Sequence, residues 1–268
     1  MKHLFRVAAI SPRVHIGNVK KNCEEILKFY KEYVAKADLL VTPELSMTGY
    51  TCQDLFFNQN LLVSVKKQLV ALAKTTKEYG KQGAALIVGF PFEKDGELFN
   101  CAALLHNGEI VAIIPKTYLP NYGEFYEKRW FSARTMEATQ IQVDELDSVL
   151  FGNRVIITMG DGEESVKLGI EICEDAWAPV SPGRLLAIQG AEIIVNISAS
   201  NEVIGKAEYR RKLVSGISSS CICGYVYVSA GRYESTSDLV FSGHNLLYEN
   251  GKQLGEQKPF QNGVLIKD

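Results

Sequence analysis

The chain has 268 residues, of which 46% are hydrophobic and 22% are charged, and its formal net charge is −2. This is the composition of an ordinary soluble protein, and the near-neutral charge gives no electrostatic signature of nucleic-acid or anionic-membrane binding. Six cysteines are too sparse for a disulfide scaffold, and no apolar run approaches the roughly 18 residues of a membrane span. We therefore expect one cytoplasmic domain over residues 1–268, with no signal peptide, reduced thiols and neither nucleic-acid nor membrane partners.

The first part of the chain alternates predicted strands and helices. Residues 4–10 form a predicted strand, Asn18 caps a helix, and residues 39–41 form a short buried strand that ends at Pro43 and Glu44. A second helix and a buried strand over 84–90 follow. The apolar stripes of the two helices, at three- and four-residue spacing, comprise Ile26, Phe29, Tyr30 and Val34, and then Leu62, Val65, Leu69, Leu72 and Thr76.

The rest of the chain is richer in strands. The pairs Asp95-Gly96 and Asn107-Gly108 predict connections between adjacent strands, since such pairs are strong signals for hairpin turns, and Asn250-Gly251 predicts another turn. Helices are predicted over 182–189 and 206–220, and the further strands are predicted over 99–105, 110–114, 155–158, 166–172, 193–197, 225–229, 239–241, 245–248 and 264–266. This order indicates an α/β or α+β protein of one domain, with a mixed sheet or two sheets and helices outside.

Three reactive side chains each follow the carboxyl end of a predicted buried strand: Glu44, Lys116 and Cys173. Strand ends at one edge of a sheet are where α/β folds assemble sites. Taken singly, these residues are as readily a loop carboxylate, a surface lysine and a core thiol. Taken together, the carboxylate could deprotonate the thiol, the thiolate could attack a carbonyl, and the ammonium could stabilise the oxyanion. A sharp turn at Cys173 would expose its sulfur at the sheet edge.

Four segments carry a resemblance to a known family. They are 42–50 (TPELSMTGY), 116–131 (KTYLPNYGEFYEKRWF), 169–177 (GIEICEDAW) and 196–200 (NISAS), the last leading to Arg210 and Arg211. From its first strand to its last, the chain resembles the nitrilase superfamily of carbon-nitrogen hydrolases. Within that superfamily it is most similar to the N-terminal glutaminase domains of glutamine-dependent NAD synthetases. The resemblance implies a four-layer α-β-β-α sandwich.

The resemblance also implies a catalytic triad of Glu44, Lys116 and Cys173. Glu44 would deprotonate Cys173, which would attack the side-chain amide of L-glutamine, while Lys116 and the N–H after Cys173 would hold the oxyanion. Ammonia would leave a γ-glutamyl thioester, which water activated by Glu44 would hydrolyse. Because a nearby cation favours a thiolate, we expect the pKa of Cys173 beside Lys116 to lie below that of an ordinary cysteine.

Further site residues are implied by position. A second glutamate that positions the lysine in many members would be Glu127, with Glu124 as the alternative. Tyr122 would face the amino-acid part of glutamine, and Glu174 or Trp177 would line the pocket. The residues expected at the α-amino and α-carboxylate groups of the substrate are Ser200 and Lys206, which are as readily ordinary loop residues.

No nucleotide-binding fingerprint or metal-ligand spacing occurs, and Cys221-x-Cys223 lacks the second ligand pair of a zinc site. We therefore expect no cofactor and no metal in this domain, since the family uses ATP and Mg²⁺ in a C-terminal synthetase domain that is absent here. The chain is expected to be part of a longer enzyme, or else a separate subunit with a synthetase partner, and to form a homo-oligomer. The alternatives are a stand-alone amidase or carbamoylase for another small amide, and a catalytically silent interaction domain.

Overall fold

The computed structural model describes residues 4–133 and 136–268, so that the first three positions of the predicted domain lie outside it. The helices are α1 (Val19–Tyr33), α2 (Gln59–Thr76), α3 (Pro182–Ile188) and α4 (Lys206–Cys221). The strands are β1 (Val7–Ile10), β2 (Leu39–Val41), β3 (Ala85–Lys94), β4 (Glu97–His106), β5 (Glu109–Pro115), β6 (Thr139–Val143), β7 (Leu146–Phe151), β8 (Ile156–Met159), β9 (Val166–Ile172), β10 (Ile193–Ser198), β11 (Gly224–Ser229), β12 (Asn245–Glu249), β13 (Lys252–Gln257) and β14 (Val264–Lys267).

The strands form two sheets, with the orders β14-β1-β2-β3-β4-β5-β7-β6 and β13-β12-β11-β10-β9-β8. A buried cluster that draws on both sheets, including Val41 and Ile114 from the first and Ile170 and Ile197 from the second, fills the space between them. The outer face of the larger sheet packs against α1 and α2, and that of the smaller sheet against α3 and α4. The fold is therefore the four-layer α-β-β-α sandwich that the resemblance implied.

Local sequence signals account for many of the element boundaries. Asn18 caps α1, since its side chain accepts a hydrogen bond from the backbone N–H of Lys21. Asp95, Asn107 and Asn250 begin the turns of three hairpins with φ near +50°, a conformation that asparagine and aspartate tolerate better than most residues. The two hairpin turns and the further turn predicted from these pairs are confirmed, and the last of them joins β12 to the unpredicted β13.

The strand predicted over 239–241 is wrong. Phe241 makes only an isolated bridge to Asn201, although Leu239 and Phe241 are both buried. The reason is local competition for backbone donors, because the N–H groups of Leu239 and Phe241 bond to the side chains of Thr236 and Ser235. Apolar character alone therefore indicated burial at this position but not strand pairing.

Three strands were missed by the pattern analysis. The hairpin of β6 and β7 lies at the edge of the larger sheet, where much of β6 is exposed and polar and therefore lacks the buried apolar signal. Strand β13 is likewise an edge strand, and only Gln257 in it is buried. Edge strands depend on pairing with an existing sheet, which a local sequence pattern does not contain.

The topology brings residues from both sheets to one end of the sandwich. Glu44 and Lys116 follow β2 and β5 of the larger sheet, while Cys173 and Ala199 follow β9 and β10 of the smaller sheet. Because β9 and β10 are parallel, the segments after them emerge at the same edge. Among the described residues, no helix combines the length and apolar content needed to cross a membrane.

Candidate active site

A buried lysine lies between two buried carboxylates. The Lys116 Nζ lies 2.6 Å from Glu44 Oε1 and 2.7 Å from Glu127 Oε1, and all three side chains are fully inaccessible to solvent. Burial by itself lowers the pKa of Lys116, but the carboxylates of Glu127 and Glu44 outweigh it and raise that pKa well above its ordinary value. Lys116 is therefore held as an ammonium at the centre of the cluster.

Backbone and amide donors complete the environment of Glu44. Asn100 Nδ2 donates to Glu44 Oε1 over 2.6 Å, and the backbone N–H of Ala199 donates to Glu44 Oε2 over 2.7 Å. With Lys116, each carboxylate oxygen thus accepts at least one hydrogen bond, a pattern that suits the ionised form. Glu44 is therefore equipped to serve as a proton acceptor.

Cys173 occupies the sharp turn that the sequence predicted. Its φ is +46°, β9 ends at Ile172, and a 3₁₀ turn runs over Cys173–Ala176. The sulfur is less accessible than expected, since the residue is only 6% exposed and packs with the apolar cluster between the sheets. Left-handed backbone at a residue with a Cβ is strained, as is common at functional turns.

The expected lowering of the thiol pKa is wrong. Burial raises the pKa of Cys173 and the neighbouring Glu44 raises it further, whereas Lys116 and the Ala199 N–H lower it. One ammonium therefore does not offset burial and two nearby carboxylates. Because the Ala199 N–H faces both the Cys173 sulfur and the Glu44 carboxylate, it brings thiol and base to one donor.

The two glutamates considered as the support for Lys116 lie in different surroundings. Glu127 bonds to Lys116, and its Oε1 also accepts a hydrogen bond from Tyr50 OH over 2.8 Å. Burial raises the pKa of Glu127 to about 7, while Lys116 opposes the shift. Glu124 is half-buried and accepts instead from Asn201 Nδ2. The structure brings Glu127, and not Glu124, into contact with Lys116.

Tyr122 and Glu174 form a pair beside the cysteine. The Tyr122 hydroxyl donates to the two carboxylate oxygens of Glu174 over 2.9 and 3.0 Å. Burial raises the pKa of Glu174, while Tyr122 and the positive charges of Lys116 and Lys206 lower it. The side chain of Tyr122 remains largely exposed. This pair therefore places a carboxylate on the residue after Cys173 and a hydroxyl against that carboxylate.

Lys206 begins α4 and lies against two aromatic rings. Its Nζ is 5.4 Å from the ring centroid of Trp177 and 5.7 Å from that of Phe125, and it donates to Asn201 Oδ1. Trp177 also stacks on Tyr209 with centroids 5.3 Å apart. Burial lowers the pKa of Lys206, and the charges of Glu124 and Glu174 oppose this shift.

Ser200 is buried and bonds to a residue for which the sequence suggested no role. Its Oγ accepts a hydrogen bond from Arg210 Nη2 over 3.3 Å, and the Nη2 of Arg210 also donates to the carbonyl of Asn201 over 3.1 Å. Arg210 itself is fully buried and bonds to His244 Nδ1 over 2.7 Å. The Ser200 hydroxyl thus belongs to an arginine-centred network that fixes the segment after β10.

Comparison with known proteins assigns the family. A sequence model described as carbon-nitrogen hydrolase matches residues 6–268. This chain belongs to the carbon-nitrogen hydrolase family. The match covers nearly all of the chain, including the segments that hold Glu44, Lys116 and Cys173, and the protein is accordingly a hydrolase of the nitrilase superfamily.

Relatives of this hydrolase carry a more specific name. The glutamine-dependent NAD(+) synthetases of Mycobacterium bovis and Aquifex aeolicus are 35% and 30% identical to it over 97% and 93% of this chain. The hydrolase spans only 38% and 40% of the length of these relatives. The solved synthetase from Cytophaga hutchinsonii superposes with a TM-score of 0.81 at 27% identity, covering 98% of this chain and 42% of that one.

A second solved structure supports the fold alone. An amidase from Nesterenkonia sp. superposes with a TM-score of 0.76 at 19% identity, and the match covers 99% of this hydrolase and 90% of the amidase. The same sandwich therefore makes up almost the whole chain of the amidase and less than half of the chain of the solved synthetase.

Asn100 and Tyr50 belong to the candidate site by their hydrogen bonds, and the sequence analysis made no prediction for either of them. Asn100 had one available signal, since it is a single polar residue within the apolar run from Leu98 to Leu105. Tyr50 had none beyond its place in the 42–50 segment. Both act on the cluster through hydrogen bonds to carboxylates, Asn100 to Glu44 and Glu127 and Tyr50 to Glu127.

The pair Cys221 and Cys223, whose spacing argued against a zinc site, lies at the end of α4. Cys221 is the last residue of the helix, and Ile222 adopts a left-handed conformation that ends it. Within residues 4–133 and 136–268, no group of three or more potential ligands from histidine, cysteine, aspartate and glutamate lies close enough together to hold a metal ion. The six cysteines are all free thiols, as predicted.

Proposed function

We propose that the hydrolase is a glutamine amidohydrolase that converts L-glutamine to glutamate and ammonia through a thioester on Cys173. The observation that carries the proposal is the contact of Lys116 with Glu44 beside the cysteine turn. These groups supply a proton acceptor, an oxyanion-stabilising cation and a nucleophile. The relatives named glutamine-dependent NAD(+) synthetases support glutamine as the substrate.

In the first half of the proposed reaction, Glu44 takes the proton from the Cys173 thiol as the sulfur attacks the amide carbon. The negative charge on the amide oxygen is stabilised by the Lys116 ammonium and the backbone N–H of Glu174. The protonated Glu44 then gives its proton to the amide nitrogen, the carbon–nitrogen bond breaks, and ammonia leaves. The raised thiol pKa fits this order, because the thiol keeps its proton until the base removes it.

In the second half of the reaction, a water molecule takes the place of the released ammonia beside Glu44. Glu44 takes a proton from water, the oxygen attacks the thioester carbon, and Lys116 again stabilises the oxyanion. When the carbon–sulfur bond breaks, the thiolate recovers the proton from Glu44 and glutamate is released. The enzyme therefore returns to its starting protonation state without a metal or a redox partner being required by the balance of atoms.

The charges near Cys173 suit the zwitterionic end of glutamine. Lys206 offers an ammonium for the α-carboxylate, although a lysine lacks the bidentate fork of an arginine. Glu174 offers a carboxylate for the α-ammonium and influences Lys206 electrostatically. Tyr122 and Trp177 contribute a hydroxyl and a ring to the same region. This arrangement supports an amino acid over an uncharged aliphatic amide.

The decisive test is hydrolysis of glutamine against a panel of short aliphatic amides and N-carbamoyl compounds. We expect glutamine to have the highest kcat/KM, Cys173→Ala to abolish turnover, and Cys221→Ala, which removes a half-exposed thiol, to leave turnover unchanged. An electrophilic glutamine analogue should add one adduct on the Cys173 peptide in mass spectrometry. A preference for another amide would support the amidase or carbamoylase alternative, and no adduct would support a silent domain.

We further propose that the ammonia serves an ATP-dependent amidation of deamido-NAD by a synthetase domain or subunit. The support is that the hydrolase spans about two-fifths of its synthetase relatives. Glutamine hydrolysis should therefore be slow for this chain alone and rise on addition of a synthetase with its substrate, ATP and Mg²⁺. Full-rate hydrolysis without a partner would contradict this coupling.

A further inference from the structure

Residue Asp175 has no role in the proposed reaction, yet it contacts the chain next to two of the three catalytic residues. Its side chain is buried, with the residue 1% exposed. Oδ1 accepts hydrogen bonds from the backbone N–H groups of Tyr118 over 2.8 Å and Thr117 over 3.1 Å. Oδ2 accepts from the backbone N–H of Ile172 over 3.0 Å. One carboxylate thus bonds the segment after Lys116 and the residue before Cys173.

We infer that Asp175 is a positioning residue that sets the separation between the Lys116 ammonium and the Cys173 sulfur. The inference rests on the proposed function, because it concerns the geometry of that reaction. It names a residue that does not touch the reacting atoms and acts through the backbone on either side of them.

The location of the two partners explains why such a connection is needed. Lys116 follows β5 in the larger sheet, whereas Cys173 follows β9 in the smaller one. Most of the contact between the sheets is an apolar cluster, and apolar packing is non-directional. The hydrogen bond from the Ala199 N–H to Glu44 also joins the two sheets, but it involves neither the segment of Lys116 nor that of Cys173. The hydrogen bonds that one rigid carboxylate accepts from backbone N–H groups on both sides are directional, and therefore fix distance and orientation where packing does not.

The backbone at Cys173 also requires support. With φ at +46°, it persists only if the surrounding structure imposes it. Asp175 lies in the same 3₁₀ turn as Cys173 and its Oδ2 bonds to the N–H of Ile172, which closes the turn around the cysteine. The same side chain therefore stabilises the turn and attaches it to the segment that carries Lys116.

The replacement Asp175→Asn preserves size and removes one acceptor. An asparagine has a single oxygen, so its amide nitrogen must face either the Ile172 N–H or the N–H groups of Thr117 and Tyr118, placing donor against donor. The hydrogen bonds to one of the two backbone segments would therefore be lost, while the side chain at position 175 stayed in place. A displacement of about 1 Å near reacting groups can reduce turnover about 100-fold.

The experiment compares Asp175→Asn with Glu171→Gln as a matched control. Glu171 is also a fully buried carboxylate close to Cys173, but it bonds to Gly183 N over 2.8 Å and Tyr225 OH over 2.5 Å, away from Lys116. Each full-length variant is measured for melting temperature, for kcat and KM with glutamine, and for the rate of Cys173 alkylation by iodoacetamide between pH 6 and 9. Alkylation is followed on the Cys173 peptide, because other thiols also react.

For Asp175→Asn we expect kcat to fall between about 10- and 100-fold with KM within about threefold of wild type. The alkylation rate at a given pH should also fall about tenfold for each unit by which the thiol pKa rises as Lys116 moves away. Glu171→Gln should retain kcat and alkylation rate. If Asp175→Asn matched Glu171→Gln in both measurements, the inference would be overturned.

Two further outcomes distinguish failure of the proposed glutaminase function from failure of the positioning role of Asp175. If wild type fails to hydrolyse glutamine while Asp175→Asn alone loses alkylation rate, the proposed function fails and the positioning role stands. If Asp175→Asn does not fold, Asp175→Glu, which keeps both acceptors but displaces them, should fold and lose kcat. Wild-type kcat in Asp175→Glu, or failure of both variants to fold, would overturn the inference and assign Asp175 to stability alone.

Discussion

Replacing Lys116 by methionine removes the ammonium that bonds to both Glu44 and Glu127 and keeps a side chain of similar length. The two contacts, at 2.6 and 2.7 Å, join side chains with no solvent exposure. Removing one partner of such a buried cluster costs about 3–5 kcal/mol, because the remaining charges lose their compensation. Domains of ordinary stability have about 5–15 kcal/mol, so we expect Lys116→Met to fold with clearly reduced stability.

The loss of stability in Lys116→Met should depend on pH. Burial raises the pKa of Glu127 to about 7 even with the ammonium present, and removal of the ammonium raises it further. A glutamate whose folded pKa lies above its unfolded pKa stabilises the fold at low pH, and that contribution is lost as the pH rises through the folded value. The stability difference from wild type should therefore be small at pH 5 and large at pH 8.

The catalytic effect of Lys116→Met has a separate origin. Loss of one oxyanion donor typically costs about 3–4 kcal/mol of barrier, or about 100- to 1000-fold in kcat. Adding Glu127→Gln to Lys116→Met removes the surplus buried charge and should recover stability but not kcat. Urea unfolding at pH 5, 6.5 and 8 and glutaminase assays measure the two effects, with the exposed neighbour Lys128→Met as control. A kcat within threefold of wild type, or a stability difference independent of pH, would refute the reasoning.

Two further predictions follow from buried carboxylates. Glu127→Gln should lower kcat by about tenfold or more, because it loses a charge that orients Lys116, whereas Glu124→Gln should change kcat by less than about threefold; equal effects in the glutaminase assay would contradict this. Burial raises the pKa of Glu234 from 4.5 to about 8, so its contribution to the free energy of unfolding is full below pH 4.5 and lost as the pH rises to 8. Relative to wild type, Glu234→Gln should therefore gain up to a few kcal/mol of stability between pH 5 and 8. If the free energy of unfolding changed with pH by the same amount in the variant and in wild type, the prediction would be contradicted.

The sequence determined the local features that depend on neighbouring residues. The cap at Asn18, the turns at Asp95, Asn107 and Asn250, and the strand that ends before Cys173 were all predicted from residue type and spacing. These features need no distant partner, because backbone preference and side-chain reach act within a few residues. The four segments that resemble the family further indicated the four-layer fold and the candidate catalytic residues.

Only the tertiary structure decided which groups surround those residues and with what charge. The contact of Glu127 with Lys116, the hydrogen bond from Asn100 to Glu44 and the raised thiol pKa of Cys173 depend on burial and on partners remote in sequence. Desolvation and charge–charge interaction depend on distance in space, which the folded sheets set and the linear pattern does not contain. The sequence therefore determined which chemical groups are available, and the packing of the two sheets against each other determined the protonation and the geometry of those groups.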